Sequence, residues 1–402
     1  MDKQTQKTIF ISALEHSAEM HCANLIRAVA AKRSTDSTVW PGQEHVASES
    51  LQSLIQWTGF GGEQMAQLGC HLLDNTVKRA AMIYNVLGQL GYYRQLIKQA
   101  NTYFEQNKVD LVIVCDSPAF NFHIAKAAKK HGIPVLFYVA PQLWAWAPWR
   151  IHKLRRCCDK LACILPFEKD WFEKRGVDAE FVSNPLFDEM DIDLQQNFKP
   201  YSSYDPTAPM IALLPGSRDA EINTLWPAML DIAVELKQKH PDAVFSACAP
   251  DEEKSAMLKN IAEDYAHGQI QIDYQVNALI ELSKRSDLAL VASGSATLQV
   301  AAAGCPMVVM YQSNRWMWHL VGRWLIRTRF LSLPNILASR QLVPEFMPYF
   351  TDIEPIVKEA ESLLCNASKL SQTSGALIEL VRPLTERRAC DTVAEMVLGI
   401  LC

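Results

Sequence analysis

A chain of 402 residues, 49 % of them apolar, is long enough for two domains that each bury a core, and neither half has a disordered composition. A formal charge of −5 argues against a general nucleic-acid binder, and 11 cysteines with no CxxC pair or regular spacing argue for a reducing compartment rather than a disulfide scaffold or zinc module. No window of 18 or more uncharged apolar residues excuses a spanning helix, and the short N-terminal apolar run reads as a strand rather than a signal peptide, so the expected location is cytoplasmic.

The first strand is TIFISAL (8–14), and EMHCANLIRAVAAK (19–32) has helical spacing. Residues 33–57 do not fit the alternation that follows and read as an insertion, a loop with a short helix. The runs VDLVIVCDS (109–117), IPVLFYVA (133–140), KLACILP (160–166) and AEFVSNP (179–185) are apolar on both faces and separated by helical patterns such as FHIAKAAKKHG (122–132). That is the pattern of a parallel sheet covered on both sides. Just past one strand, CDSPAFN places Asp116 before a turn held by Pro118. A carboxylate there can act as a general base or simply cap the next helix. APQLWAWAPWRIHKLRR (140–156) carries three Trp within six residues and a basic tail, which suits a pocket wall or a partly exposed surface.

The polar stretch DIDLQQNFKPYSSYDPTAP (191–209) reads as an interdomain linker. The alternation then restarts with MIALLPG (210–216), a helix from about 220 to 239, AVFSACAP (243–250), QIQIDY (269–274), LALVAS (288–293) and PMVVMYQ (306–312). Two doubly wound α/β domains in tandem account for this, with ligands at the carboxyl ends of the strands, in an interdomain cleft.

LLPGSRDAEI (213–222) runs strand, tight turn, helix, a geometry that aims backbone N–H groups at an anion. Gly216 permits close approach, Ser217 can donate or cap, and Arg218 can hold a phosphate at two points. An ordinary βα turn is the alternative; no Lys-Ser/Thr pair closes a Walker motif. VASGSATLQVAAAGCPMVV (291–309) repeats the shape, with Ser293, Gly294, Ser295 and Thr297 at the start of a small-residue helix. A packed βαβ unit is the alternative there. Two such turns in one half point to a nucleotide-diphosphate site. RWMWHLVGRWLIRTRF (315–330) mixes Trp316 and Trp324 with Arg323, Arg327 and Arg329 at roughly helical spacing. This marks either an interfacial helix on an anionic membrane or a domain helix with a solvated basic edge. Without HExxH or HxxxH pairs no metal site is expected, and without GxSxG no α/β-hydrolase.

Taken together, GFGGEQMAQLG (59–69), CDSPAFN (115–121), YVAPQLWAW (138–146), LPFEKDWFEKRGV (165–177), LLPGSRDAEI (213–222), ASGSATLQVAAAGCPMVVMY (292–311) and LSLPNILASRQLVPEF (331–346) resemble the lipid-A-disaccharide synthase family, in its order and over most of the chain. The resemblance implies a GT-B fold of two Rossmann-like domains facing a cleft, with C-terminal helices crossing back to the first. The implied layout is 1–190, a linker at 191–209, 210–370, and returning helices at 371–402. It also implies an inverting transfer without metal or cofactor, from UDP-2,3-diacylglucosamine to 2,3-diacylglucosamine 1-phosphate (lipid X), by a peripheral protein on an anionic inner-membrane surface. Under it Asp116 deprotonates the acceptor 6-hydroxyl. Gly216, Ser217 and Arg218 neutralise the departing UDP, and Ser293, Gly294, Ser295, Thr297, Gln299 and Asn335 hold the nucleotide sugar. Glu15, Ser17 and Asn184 lie in first-domain loops on the acceptor side, while Trp316, Arg323, Trp324, Arg327 and Arg329 meet the membrane. No nucleic-acid partner is implied, and the oligomeric state is open.

Departures occur at LEHSAE (14–19), where the family has a GETSGD-like turn, and at Asn184, which stands for a histidine. Gln299 stands for a ribose-binding Glu, and Ala119 for a second acid after the DSP turn. A transferase of other sugars, an inactive membrane-associated binding homologue and a UDP-sugar epimerase on the same fold are the alternatives.

Overall fold

The computed structural model describes residues 6–35, 55–80, 86–188, 190, 193–266, 270–313 and 328–401. The chain divides into two compact units, Met1–Glu189 with Leu384–Cys402, and Met190–Pro383.

The first unit is built on β1 (Lys7–Ser12), β2 (Ile55–Gly61), β3 (His71–Asn75), β4 (Leu111–Cys115), β5 (Val135–Tyr138), β6 (Lys160–Cys163) and β7 (Ala179–Phe181). All pair in parallel, in the order β3-β2-β1-β4-β5-β6-β7. Every residue of β4 and β5 is buried, the reason these strands read as unbroken apolar runs.

The insertion expected over 33–57 is corrected at both ends. Helix His16–Thr35 extends through residue 35, and Ile55–Trp57 open β2, which pairs with the whole length of β1. Residues 36–54 lie outside the described residues. β2 carries Gln56, Thr58 and two glycines, so it lacks the apolar signature of its neighbours. Gly59 sits at φ +145°, and a Cβ there would collide with the Ile11 carbonyl oxygen, so the β1–β2 approach requires glycine.

Helix Ala389–Leu401 returns to this unit. Its Cys390, Val393, Ala394 and Val397 join Cys22, Leu25, Ile26 and Val29 of helix His16–Thr35 in one core. The Asp188 carboxylate accepts the Ala389 and Cys390 amides at 2.7 and 2.9 Å, capping the returning helix. The return begins at Leu384 rather than 371, because helix Ala367–Thr385 lies in the second unit as far as Pro383.

The second unit holds β8 (Met210–Leu214), β9 (Val244–Ala249), β10 (Ile272–Val276), β11 (Leu288–Ala292), β12 (Met307–Met310) and β13 (Glu345–Phe346). They too are all parallel, ordered β10-β9-β8-β11-β12-β13. The segment read as a linker is bolted to this unit. The Asn197 side chain donates to the Ala302 carbonyl at 2.8 Å, and the Lys199 ammonium donates to the carbonyls of Ser283 and Ser286. The Tyr201 and Tyr204 hydroxyls donate to the Asp287 and Leu364 carbonyls at 3.2 and 2.9 Å.

Each sheet reverses its winding beside its first strand, between β1 and β4 and between β8 and β11. At such a switch point the loops leave in opposite directions, and the carboxyl ends of the strands border a crevice.

Candidate functional site

In the second unit the loops at the switch point are Pro215–Arg218 after β8 and Ser293–Ser295 after β11. Gly216–Arg218 and Ser293–Ser295 line a cavity of about 360 Å³, together with Cys248–Pro250 at the carboxyl end of β9, Asn277 after β10, and Gln299. Gly216 takes φ +104°, and a Cβ on it would lie 2.5 Å from a Glu221 carboxylate oxygen, so this turn needs glycine. Arg218 is the N-cap of helix Asp219–Lys239. The first amides of that helix lack intrahelical acceptors, and its dipole adds partial positive charge at the pocket.

The Arg218 side chain is 77 % exposed, with its guanidinium 3.2 Å from Glu221 Oε1. Glu221 Oε2 accepts the Arg218 amide at 3.4 Å. An internal carboxylate thus holds the guanidinium at the pocket, and the planar fork has further N–H donors for a diphosphate. Glu221 was quoted in the sequence motif without a role, and only the fold assigns it one.

Ser293, Gly294, Ser295 and Gln299 line the cavity. Thr297 does not. Its fully buried hydroxyl donates to the Gly294 carbonyl at 2.7 Å and shapes the turn from behind. Asn335 requires the same correction. It is fully buried, donates to the Val343 carbonyl and to Glu345 Oε2, both at 2.9 Å, and accepts the Leu342 and Val343 amides at 2.7 and 3.0 Å. Its amide is spent on holding helix Leu333–Ala338 to β13. Cys248–Pro250 and Asn277 were missed by sequence reasoning; the available signal was their position at strand ends.

In the first unit Asp116 and Ser117 follow β4 with φ of +51° and +41°, two consecutive non-glycine residues in the left-handed region. Such backbone is costly and persists only where its surroundings impose it. Here the Asp116 amide donates to the Tyr138 carbonyl at 3.0 Å. The buried Asn121 side chain donates to the Cys115 and Asp116 carbonyls at 2.9 and 2.8 Å and accepts the Ser12 hydroxyl at 2.8 Å. Pro118 then opens helix Pro118–Lys130. Burial raises the Asp116 carboxyl above the usual carboxylate range, partly offset by the Ser117 amide. A half-buried carboxyl with that shift, at a switch point, has the properties of a general base.

Glu15 and Ser17 are exposed just after β1, on the other side of the same switch point. Glu19 is buried; its Oε1 accepts the Gln64 amide at 2.8 Å and its carboxylate packs where a Cβ on Gly62 would fall. It fastens the loop after β2. Asn184 is buried and its side-chain Oδ1 accepts the Leu186 amide at 3.0 Å, capping the turn Pro185–Phe187, so its observed work is structural. Trp316, Arg323, Trp324 and Arg327 lie outside the described residues, and Arg329 is exposed with its guanidinium 5.4 Å from the Phe330 ring. Among the described residues no three His, Cys, Asp or Glu side chains cluster as a metal site.

The aromatic loop of the first unit is fixed from below by a buried acid. Glu168 accepts Trp144 Nε1–H at 2.8 Å and the Ile164 and Leu165 amides at 3.0 Å. Burial nonetheless pushes its carboxyl from 4.5 up to about 7. A carboxyl raised in the fold contributes stability that is full below the unfolded value and is lost as pH rises through the folded one. The expected result is a fall of about 3 kcal/mol in Glu168's contribution between pH 4.5 and 7. Unfolding midpoints measured across that window should decline with pH in the wild type and decline less in Glu168→Gln. Equal slopes in the two proteins would contradict it.

The profile of the family described as lipid-A-disaccharide synthetase matches residues 9–400. A lipid-A-disaccharide synthase of Anaeromyxobacter dehalogenans (strain 2CP-C) is 31 % identical over 394 residues, covering 98 % of this chain and 97 % of its own. Among solved structures, a putative UDP-N-acetylglucosamine 2-epimerase from Listeria monocytogenes superposes with a TM-score of 0.58 at 14 % identity, covering 98 % of this chain and 95 % of its own. The UDP-GlcNAc 2-epimerase from Neisseria meningitidis, bound to UDP-GlcNAc, gives 0.58 at 13 % identity, with 98 % and 100 % covered. At such identities these two structures speak for the two-Rossmann architecture alone.

Proposed function

The chain belongs to the lipid-A-disaccharide synthetase family, and from that premise we propose that it moves 2,3-diacylglucosamine from UDP-2,3-diacylglucosamine to lipid X. The products are the β-1,6 disaccharide 1-phosphate and UDP, and the protein is a UDP-sugar-dependent glycosyltransferase of lipid A biosynthesis. The observation that carries the site assignment is the convergence of two turns, Pro215–Arg218 and Ser293–Ser295, on one pocket at the β8/β11 switch point.

The roles follow from charge. In a single displacement the acceptor 6-oxygen attacks the anomeric carbon while the bond from that carbon to the UDP oxygen breaks. Asp116 takes the hydroxyl proton. Negative charge grows on the β-phosphate, where Arg218 and the amides at the start of helix Asp219–Lys239 stabilise it without a metal ion. Ser293, Ser295 and Gln299 orient the nucleotide. No helix among the described residues is long and apolar enough to cross a membrane. The acyl chains of both substrates suit a protein working peripherally at the anionic cytoplasmic face of the inner membrane.

The test is transfer itself. Full-length protein, both lipids and detergent are combined, and products are read by mass spectrometry. A disaccharide phosphate appearing with UDP in equal amount is expected. UDP binding without product would remove this acceptor and favour a transferase of other acyl sugars, a reading that Gln299 on the pocket wall, in place of the usual Glu, supports.

A further inference from the structure

We infer that the face of the first unit bearing Trp146, Trp149, Arg150, Lys153, Arg155 and Arg156 seats on an anionic phospholipid surface. The inference rests on the membrane reading above but assigns the contact to residues outside the 315–330 segment.

Trp146 and Trp149 are 37 % and 56 % exposed, Trp149 more so than Leu90, Phe198 or Val244 elsewhere on the described surface. The Arg150 guanidinium lies 5.0 Å from the Trp146 ring centroid. His152, Arg155 and Arg156 line a surface cavity of about 230 Å³ on helix Ile151–Cys157. Lys153 sits 4.7 Å over the Phe122 ring, beside helix Pro118–Lys130.

Three carboxylates of the segments that follow helix Ile151–Cys157 are paired with lysines outside the patch. Asp159 pairs with Lys129 at 2.8 Å, Asp178 with Lys160 at 2.9 Å, and Glu173 with Lys169 at 3.9 Å. Among the described residues Arg150, Lys153, Arg155 and Arg156 form no ion pair. Burial, with Cys157 opposing and Arg150 and Lys126 adding, holds Lys153 below the usual lysine range, and burial with Lys153 and Lys126 holds His123 below the usual histidine range. Unneutralised positive charge thus concentrates here in a chain of net charge −5.

Cations alone would suit any phosphate. Exposed indoles among them narrow the choice, because an indole is most stable at headgroup level, with its ring against the acyl region and its N–H in the polar layer. A bilayer offers both phases side by side; free phosphate offers no apolar phase, and a nucleic acid, whose bases could stack on the indoles, is disfavoured by the chain's net charge of −5.

The experiment uses the full chain and sedimented vesicles of phosphatidylglycerol with phosphatidylcholine, or of phosphatidylcholine alone. The wild type should bind the anionic vesicles only, and less at high salt. Removing the charge in Arg150→Gln/Arg155→Gln/Arg156→Gln should weaken partitioning about a hundredfold. Trp149→Ser should weaken it about tenfold. UDP affinity and unfolding midpoint, which report on the second unit and the fold, should stay as in the wild type. Wild-type binding by the triple variant would overturn this surface while leaving the membrane reading intact. A wild type indifferent to anionic vesicles would overturn both. Competition by inorganic phosphate or an oligonucleotide, with Trp149→Ser unaffected, would replace the lipid by a polyanion and also overturn it.

Discussion

Asp116→Asn is expected to lower turnover by about 10³-fold, within the range that a positioned general base contributes, while leaving UDP affinity unchanged. Asparagine is the informative replacement because of the backbone. Asp116 stands at φ +51° and its neighbour at +41°, and among non-glycine residues Asn and Asp tolerate that region best. Alanine would add strain to the turn, so a loss of activity there would confound a missing base with a displaced loop. The amide keeps the shape and cannot accept a proton near neutral pH. Because burial holds the Asp116 carboxyl above the ordinary carboxylate range, wild-type kcat/KM should rise with pH through that raised value, and this limb should be missing from the residual activity of the variant. Steady-state kinetics across pH, with calorimetry for UDP, check both parts. Near wild-type turnover in Asp116→Asn would reduce Asp116 to a turn residue and place the base elsewhere.

Arg218→Ala is expected to cost about a hundredfold in UDP affinity and at least as much in turnover, since charge-assisted bonds to a phosphate are worth about 1.5–3 kcal/mol each. Stability should barely change. The side chain is 77 % exposed and its ion pair with Glu221 is of the surface kind, worth less than about 1 kcal/mol. Arg218→Lys should recover only part of the loss, because an ammonium supplies a point charge where the guanidinium offers a planar fork. Calorimetric titration with UDP, beside kcat and KM for all three proteins, separates the contributions. A ground-state contact raises KM, whereas stabilisation of the departing diphosphate lowers kcat. UDP affinity unchanged in Arg218→Ala would remove the guanidinium from the donor site.

What the chain shows on its face depends on which forces leave local marks. Strands buried on both sides must be apolar throughout, so β4, β5, β8 and β11 are visible as runs. β2 is not, although it pairs with the whole length of β1, because Gln56, Thr58, Gly59 and Gly61 break the run. β13, two residues long, is too short for any period. Turn chemistry leaves marks as well. Gly216 announces a left-handed turn that admits no Cβ, and Pro-Gly-Ser-Arg before a helix announces free amides.

The sequence by itself therefore determined the α/β alternation, the two anion-suited turns after β8 and β11, and the strand-end position of Asp116, since each is written in contiguous residues. Only the tertiary structure decided that the two turns open on one pocket, because strand order is a property of pairings between distant segments. It decided the fate of the polar side chains for the same reason. Asn121, unassigned in its motif, is set against Ser12 across 109 positions and clamps the Asp116 turn. Asn335, assigned to a ligand by its motif, has its amide spent on Leu342, Val343 and Glu345. A hydrogen-bonding group looks the same in sequence whether it faces a ligand or satisfies a buried backbone, and only the packing around it says which.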